Sequence, residues 1–276
     1  LKIVRFTYGA QDKWGVLNEK NEKKINIING NIFANYNNHN SYDNYNNYEV
    51  SDEYVSLDNV QLLAPCIPSK GVCIGLNYYD HAREMNLKLP AEPLMFLKPS
   101  SSLNHPGGII EYPAISQNLH YEAEMAIVIK KQARHVSVEN AYDYILGYTC
   151  ANDVTARDLQ QKDGQWTRGK SFDTFMPLGP YIETDIDPHN INITLYVNNV
   201  ACQSSNTGNL IFKVPELLVF VTQVMTLYPG DVILTGTPAG VGPMQAGDTV
   251  AVELEGIGRL ENTVSKADKR SCQPLL

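Results

Sequence analysis

Along most of the chain, apolar and polar positions alternate over short stretches and rarely recur at helical spacing, which predicts a mainly β protein. Lys2-Ile-Val-Arg-Phe-Thr-Tyr and Trp14-Gly-Val-Leu read as short strands of a small N-terminal β unit. Val60 to Pro68 reads as a linker strand, because Pro65 and Pro68 forbid helix there. From Gly71 onward, strand-like runs are punctuated by turns. Leu119 to Lys130 has the β-branched and aromatic content of a strand, and its second half is apolar on both faces, as in a strand covered on both sides. Ile145 to Ala151 and Val232-Ile-Leu-Thr are strand-like too, and Val250 to Leu254 with Arg259 to Val264 form a hairpin around Glu255-Gly-Ile-Gly. Helices are few: Tyr78 to Met85, Val154 to Gln161 and Val214 to Leu227. The last has Pro215 in its first turn and an apolar stripe through Leu218, Val221, Val224 and Met225, and it stops at Tyr228-Pro-Gly-Asp. Those stripe residues are core. No repeat of 20–50 residues is present.

Two carboxylates interrupt the apolar run at 119–130. Strand side chains alternate, so Glu122 and Glu124 project from one face, roughly 6–7 Å apart along the strand. On an edge strand such a pair only keeps a sheet soluble. Inside a covered strand, two like charges at that spacing are costly unless a positive group sits between them, and a divalent cation meets that need. Met125 to Ile129 favours the covered strand.

Composition bounds what such a site serves. The 276 residues hold one large domain, or a small and a large one, with ample core. The organisation expected is a β-rich region over 1–64, containing an Asn/Tyr-rich patch at 26–48 to which no function is assigned, and a catalytic-sized domain over 65–276. Net charge is −8 and no basic stretch is long enough to follow a phosphate backbone, which argues against nucleic acid as partner. Five scattered cysteines (Cys66, Cys73, Cys150, Cys202, Cys272) without C-x-x-C spacing argue for a reducing compartment and against a zinc–thiolate site. With no apolar run near 20 residues and no signal-peptide pattern, the expectation is a cytoplasmic protein without membrane contact; a start at Leu1 rather than Met also suits an organellar form cut from a targeting peptide.

A third carboxylate stands at Asp153, where a strand gives way to a predicted helix. Alone it reads first as an N-cap. Together with Glu122 and Glu124 it completes an oxygen-only set that suits a hard cation, Mg²⁺, with Mn²⁺ or Ca²⁺ as alternatives. Arg157 and Gln160, three apart on the helix that follows, share a face.

Gly75-Leu-Asn-Tyr-Tyr-Asp-His-Ala-Arg-Glu, Pro93-Leu-Met-Phe-Leu-Lys-Pro, Tyr121-Glu-Ala-Glu, Asn152-Asp-Val-Thr-Ala-Arg-Asp-Leu-Gln, Lys170-Ser-Phe-Asp and Leu234-Thr-Gly-Thr-Pro-Ala-Gly-Val-Gly occur in this order. Over residues 65–265 the chain thereby resembles the fumarylacetoacetate hydrolase family. It is most similar to the branch of acylpyruvate hydrolases, oxaloacetate decarboxylases and 2-hydroxyhepta-2,4-diene-1,7-dioate isomerases. The resemblance implies a mixed β-sandwich or β-roll with a few short peripheral helices, and a homodimer. It puts the metal ligands at Glu122, Glu124 and Asp153, a His–Glu pair at His81 and Glu84 on a short mobile helix, and basic groups near the substrate at Lys170 and Arg157. Gln160 falls on a polar lid or substrate contact, and Thr237 on a turn facing the substrate carboxylate. Lys98 and Tyr78 lie in matching segments but are left out of the site. The leading expectation is Mg²⁺-dependent cleavage of a C–C bond in a 2,4-dioxo acid, with His81 and Glu84 activating water and the metal offsetting the charge of the pyruvate enolate. Oxaloacetate decarboxylation or isomerisation of a dienol diacid is the runner-up, and a non-catalytic metal- or carboxylate-binding protein the alternative of another class.

Overall fold

The computed structural model describes residues 1–18, 20–30, 32–33 and 48–266. Most of the Asn/Tyr-rich patch and Cys272 lie outside them. The mainly β fold with few short helices agrees with the sequence reading.

A 12-stranded sheet forms the frame. Along its main path the order is Glu49–Ser56, Asn21–Asn29, Gln11–Asn18, Lys2–Tyr8, Met176–Glu183, Ile145–Asn152, Ala123–Ile129, Val232–Leu234, Lys70–Gly75 and Leu94–Pro99. Neighbours on this path are antiparallel except Val232–Leu234 beside Lys70–Gly75, which run parallel. The N-terminal strands are continuous with this sheet, because Lys2 and Ile3 pair with Glu183 and Ile182. A five-stranded sheet is ordered Val200–Asn206, Asn192–Val197, Thr249–Leu254, Gly258–Lys266 and Ile109–Tyr112.

Every side chain of Ala123–Ile129 is buried. Met125, Ile127 and Ile129 join a core that includes Ile193, Leu195, Val250 and Val252 of the five-stranded sheet and Leu217, Leu218 and Val221 of the helix Val214–Val224. Ala126 and Val128 face the opposite core, with Cys73, Ala151, Leu178 and Leu234. That two-sided burial explains the unbroken apolar run. By alternation Glu124 belongs to the second face.

Three expected elements end elsewhere. The run 119–130 is two strands, Leu119–Tyr121 and Ala123–Ile129, with Glu122 at the break. Leu119–Tyr121 leaves the large sheet for a three-stranded one with Thr155–Ala156 and Gly242–Pro243. That pairing extends the backbone at Thr155 and Ala156, so the helix expected from Val154 runs over Arg157–Asp163 and Asp153 is not its N-cap. The helix from Val214 stops at Val224 because Met225 is extended and Leu227 bridges to Ala133 instead.

The parallel pair beside the Ala123–Ile129 strand is held by one buried carboxylate. Asp231 accepts from Ser69 N–H (2.8 Å), Ser69 Oγ (2.7 Å) and Tyr228 N–H (2.9 Å), and pairs with Lys70 Nζ at 2.6 Å. Asp231→Ala strands these donors, one of them charged, and is expected to cost about 3 kcal/mol or more. Urea unfolding checks this; a loss below about 1 kcal/mol would mean that water replaces the carboxylate.

Candidate metal centre and active-site cavity

Glu122, Glu124 and Asp153 converge at the end of the Ala123–Ile129 and Ile145–Asn152 strands. Each offers a carboxylate oxygen, and these oxygens lie within 4.8 Å of one another, all three residues being buried. The break at 122 makes the convergence possible: Glu122 N–H donates to the Asn152 side chain (3.0 Å), and Asp153 N–H to Glu122 O (2.9 Å), so the two strand ends are stitched together.

Cations surround two of the three carboxylates. Lys170 Nζ bridges Glu122 Oε2 (2.9 Å) and Asp153 Oδ2 (2.7 Å), and Arg157 binds Glu122 Oε1 while donating to Gln160 Oε1 at 2.5 Å. Burial pushes the Glu122 carboxyl up, but Lys170 and Arg157 outweigh it and hold the group well below the usual carboxylate range. Burial also works against the Lys170 charge, yet Asp153 and Glu122 leave that ammonium harder to deprotonate than an ordinary lysine. Glu124 differs: its Oε2 accepts from Gly236 N–H (2.7 Å), and burial, then the Asp153 and Glu122 charges, push its carboxyl far above the usual range.

Lys98, left out on sequence, belongs to this cluster. It is fully buried, with Nζ 2.8 Å from Asp153 Oδ1. It donates to the carbonyls of Val154 (2.9 Å), Lys170 (2.6 Å) and Phe175 (2.9 Å), which occupies its three protons. Asp153 Oδ1 therefore competes with three carbonyls for the protons of this ammonium. Burial lowers the Lys98 pKa, opposed by Asp153.

Glu122, Glu124, Asp153, Arg157 and Lys170 line a cavity of about 410 Å³, whose lining also includes His81, Gln160 and Thr237. Its apolar lining comes from Met85, Leu87, Leu94, Phe96, Trp166 and Val241. Trp166 meets Phe96 edge-on at 5.1 Å and packs so close to Gly75 that a Cβ there would come within 2.8 Å of its ring. His81 sits on the helix Tyr79–Glu84, its Nδ1 3.1 Å from Glu84 Oε2. Glu84 also accepts from Gly240 N–H (3.1 and 3.2 Å), and Asp80 accepts from His81 N–H (2.7 Å) and Ser205 Oγ (2.5 Å), which fixes the helix over the cavity.

A family model described as fumarylacetoacetate (FAA) hydrolase C-terminal matches residues 70–265, and one described as Rv2993c-like, N-terminal matches residues 1–65. The chain belongs to the fumarylacetoacetate hydrolase family. Human oxaloacetate tautomerase FAHD2B, mitochondrial, is 44% identical over 218 residues, covering 74% of this chain and 69% of the relative. The crystal structure of 2-hydroxyhepta-2,4-diene-1,7-dioate isomerase from Mycobacterium marinum superposes with a TM-score of 0.86 at 38% identity, over 98% of this chain and all of that one. Maleylpyruvate hydrolase from Sphingobium sp. SYK-6, solved with manganese(II) ion and pyruvate, superposes at 0.75 with 28% identity, over 97% of this chain and all of that one. Named family relatives are thus enzymes, of tautomerase, isomerase and hydrolase type.

A divalent cation fits the residues present on two counts. Three buried carboxylate oxygens converge within 4.8 Å, and Glu124 is a buried carboxylate that no described cation pairs. The donor set is oxygen only, suited to a hard ion. The structure brings all nine residues singled out in the sequence to this cavity or, for Glu84, to a cavity residue. Among the described residues no helix is long and apolar enough to cross a membrane.

Proposed function

We propose that this chain is a divalent-metal-dependent enzyme of small 2-oxo acids whose basic step is proton transfer at C3, interconverting keto and enol forms. The observation that carries it is one cavity joining a three-carboxylate set, with Lys170 and Arg157, to a histidine braced by a glutamate. The adjacent ketone and carboxylate oxygens of a 2-oxo acid match a hard cation held by Glu122, Glu124 and Asp153. When bound, Mg²⁺ (or Mn²⁺ or Ca²⁺) supplies Lewis-acid charge for those oxygens. Because Glu84 occupies His81 Nδ1, Nε2 is left to take the C3 proton and return it. Lys170 offers positive charge next to the developing oxyanion, and Thr237 offers a hydroxyl to the substrate carboxylate. Phe96, whose ring lies 4.9 Å from Lys170 Nζ, with Trp166 and Met85 restricts water around these groups.

Among the relatives, the tautomerase is 44% identical and the isomerase 38%, with hydrolases at 35% and 28%, an order that favours keto–enol chemistry by a narrow margin. C–C cleavage of an acylpyruvate, the leading expectation from sequence, is the second reading, favoured by the same His81–Glu84 pair, which suits water activation equally. The test is a Mg²⁺-supplemented panel of enol-oxaloacetate, acetylpyruvate, fumarylpyruvate and an unsaturated C7 diacid, followed by ultraviolet absorbance and pyruvate release. Enol-oxaloacetate is expected to react fastest. Faster pyruvate release from an acylpyruvate would put hydrolysis first, and inactivity on all four by metal-loaded protein would sink both readings.

A further inference from the structure

Gln203, on the strand Val200–Asn206 of the five-stranded sheet, is only 1% exposed and has no role in the chemistry above. Its Oε1 accepts from Ala123 N–H at 2.9 Å, between the two glutamates of the carboxylate set. Its Nε2 donates to Thr237 Oγ1 and to Pro238 O, each at 2.9 Å. The amide cannot be turned over, because the flipped group would set its NH₂ against a backbone N–H and its oxygen against a carbonyl. Thr237 is therefore an acceptor in this contact. A threonine hydroxyl has one proton, and the Gln203 contact does not consume it. Thr237 lines the cavity and makes no other side-chain hydrogen bond among the described residues. Gly236 N–H, one residue earlier, binds Glu124, so the turn is tied at 123 and 124 and the distance from hydroxyl to carboxylate set is fixed.

We propose that Gln203 is a positioning residue that commits the Thr237 hydroxyl to donate into the cavity, making that wall a receptor for an anionic oxygen, the substrate carboxylate. The proposal rests on the 2-oxo acid reading. Without Gln203, the hydroxyl is free to turn its proton toward a neighbouring protein acceptor. In Gln203→Glu a carboxylate replaces the donor and draws that proton away from the cavity.

The experiment is a double-mutant cycle of Gln203→Glu and Thr237→Val, probed by calorimetric titration with Mg²⁺ alone and then with oxalate on the Mg²⁺-loaded protein, alongside kcat and KM. Each single variant is expected to weaken oxalate and raise KM by about 10- to 100-fold, the range of a hydrogen bond to a charged group. Mg²⁺ affinity and kcat at saturation should move far less, as expected when binding common to ground and transition states is lost. In the Thr237→Val background, Gln203→Glu should add almost nothing. A loss of Mg²⁺ and oxalate affinity alike, equal in both backgrounds, would make Gln203 a structural prop and overturn the proposal. Should Gln203→Glu not fold, Gln203→Met replaces it in the cycle, with oxalate loss expected only where Thr237 is intact; loss in both backgrounds overturns the proposal. Wild-type protein that binds Mg²⁺ but not oxalate would sink the 2-oxo acid reading itself, and the proposal with it.

Discussion

Glu124→Ala protein is expected to lose divalent-cation binding and activity together while keeping its fold. Glu124 is the one carboxylate of the set that no described cation balances, and burial with two neighbouring carboxylates makes its charge costly in the metal-free protein. Removing it relieves that repulsion and forfeits one hydrogen bond from Gly236 N–H, changes of opposite sign. The metal-free variant should therefore melt within a few degrees of wild type. Metal binding should differ sharply. A ligand at 100 times its dissociation constant stabilises the folded state by about 2.7 kcal/mol, so saturating Mg²⁺ raises the wild-type melting temperature. With only Glu122 and Asp153 left, both engaged by Lys170, that rise should vanish. Differential scanning fluorimetry against Mg²⁺ concentration checks it. An undiminished shift in Glu124→Ala would remove Glu124 from the ligand set.

His81→Ala should have the opposite profile, a fall in turnover of about 10²- to 10⁴-fold with the Mg²⁺-dependent melting shift intact. The imidazole lies on a helix separate from the strand ends at which the three carboxylates stand. Its partner Glu84 is anchored by Gly240 N–H, so the ring stays oriented with Nε2 unoccupied by Glu84. Glu84→Gln keeps the size and an acceptor oxygen for Nδ1 but removes the carboxylate charge beside the ring, and should fall between His81→Ala and wild type. Turnover assays beside the melting titration separate the roles. Equal loss of metal binding and turnover in His81→Ala would place this residue in the metal site rather than the chemistry.

What was legible in the sequence follows from what alternation reveals. The strand at 123–129 and the oddity of its two glutamates could be read because apolar residues on both faces leave no ordinary place for a charge. The helix carrying His81 could be read from local composition. The extended backbone at Thr155 and Ala156 could not, because two residue pairs with the short strand Leu119–Tyr121 impose it from afar and override local helix preference. The central strand Met176–Glu183 was equally hidden: Pro177, Gly179 and Pro180 argue against a strand locally, whereas Ile182 and Leu178 earn burial from neighbours distant in sequence. Lys98 reads as an ordinary lysine before a proline, and only the packed structure encloses its ammonium with three carbonyls and Asp153. Gln203 carries no local signal, since its partners lie 80 and 34 residues away in opposite directions.

The central claim is that the carboxylate set and His81 together generate the enolate of a 2-oxo acid, a species common to tautomerisation, decarboxylation and C–C cleavage in this cavity. The most direct test is exchange of the pyruvate methyl protons in D₂O, followed by proton NMR with Mg²⁺ or with a chelator. Loss of the methyl signal with Mg²⁺, slowed to the background rate by chelation and in Glu124→Ala and His81→Ala, is the predicted result. A methyl signal that persists at the background rate beside Mg²⁺-saturated wild-type protein would contradict the account.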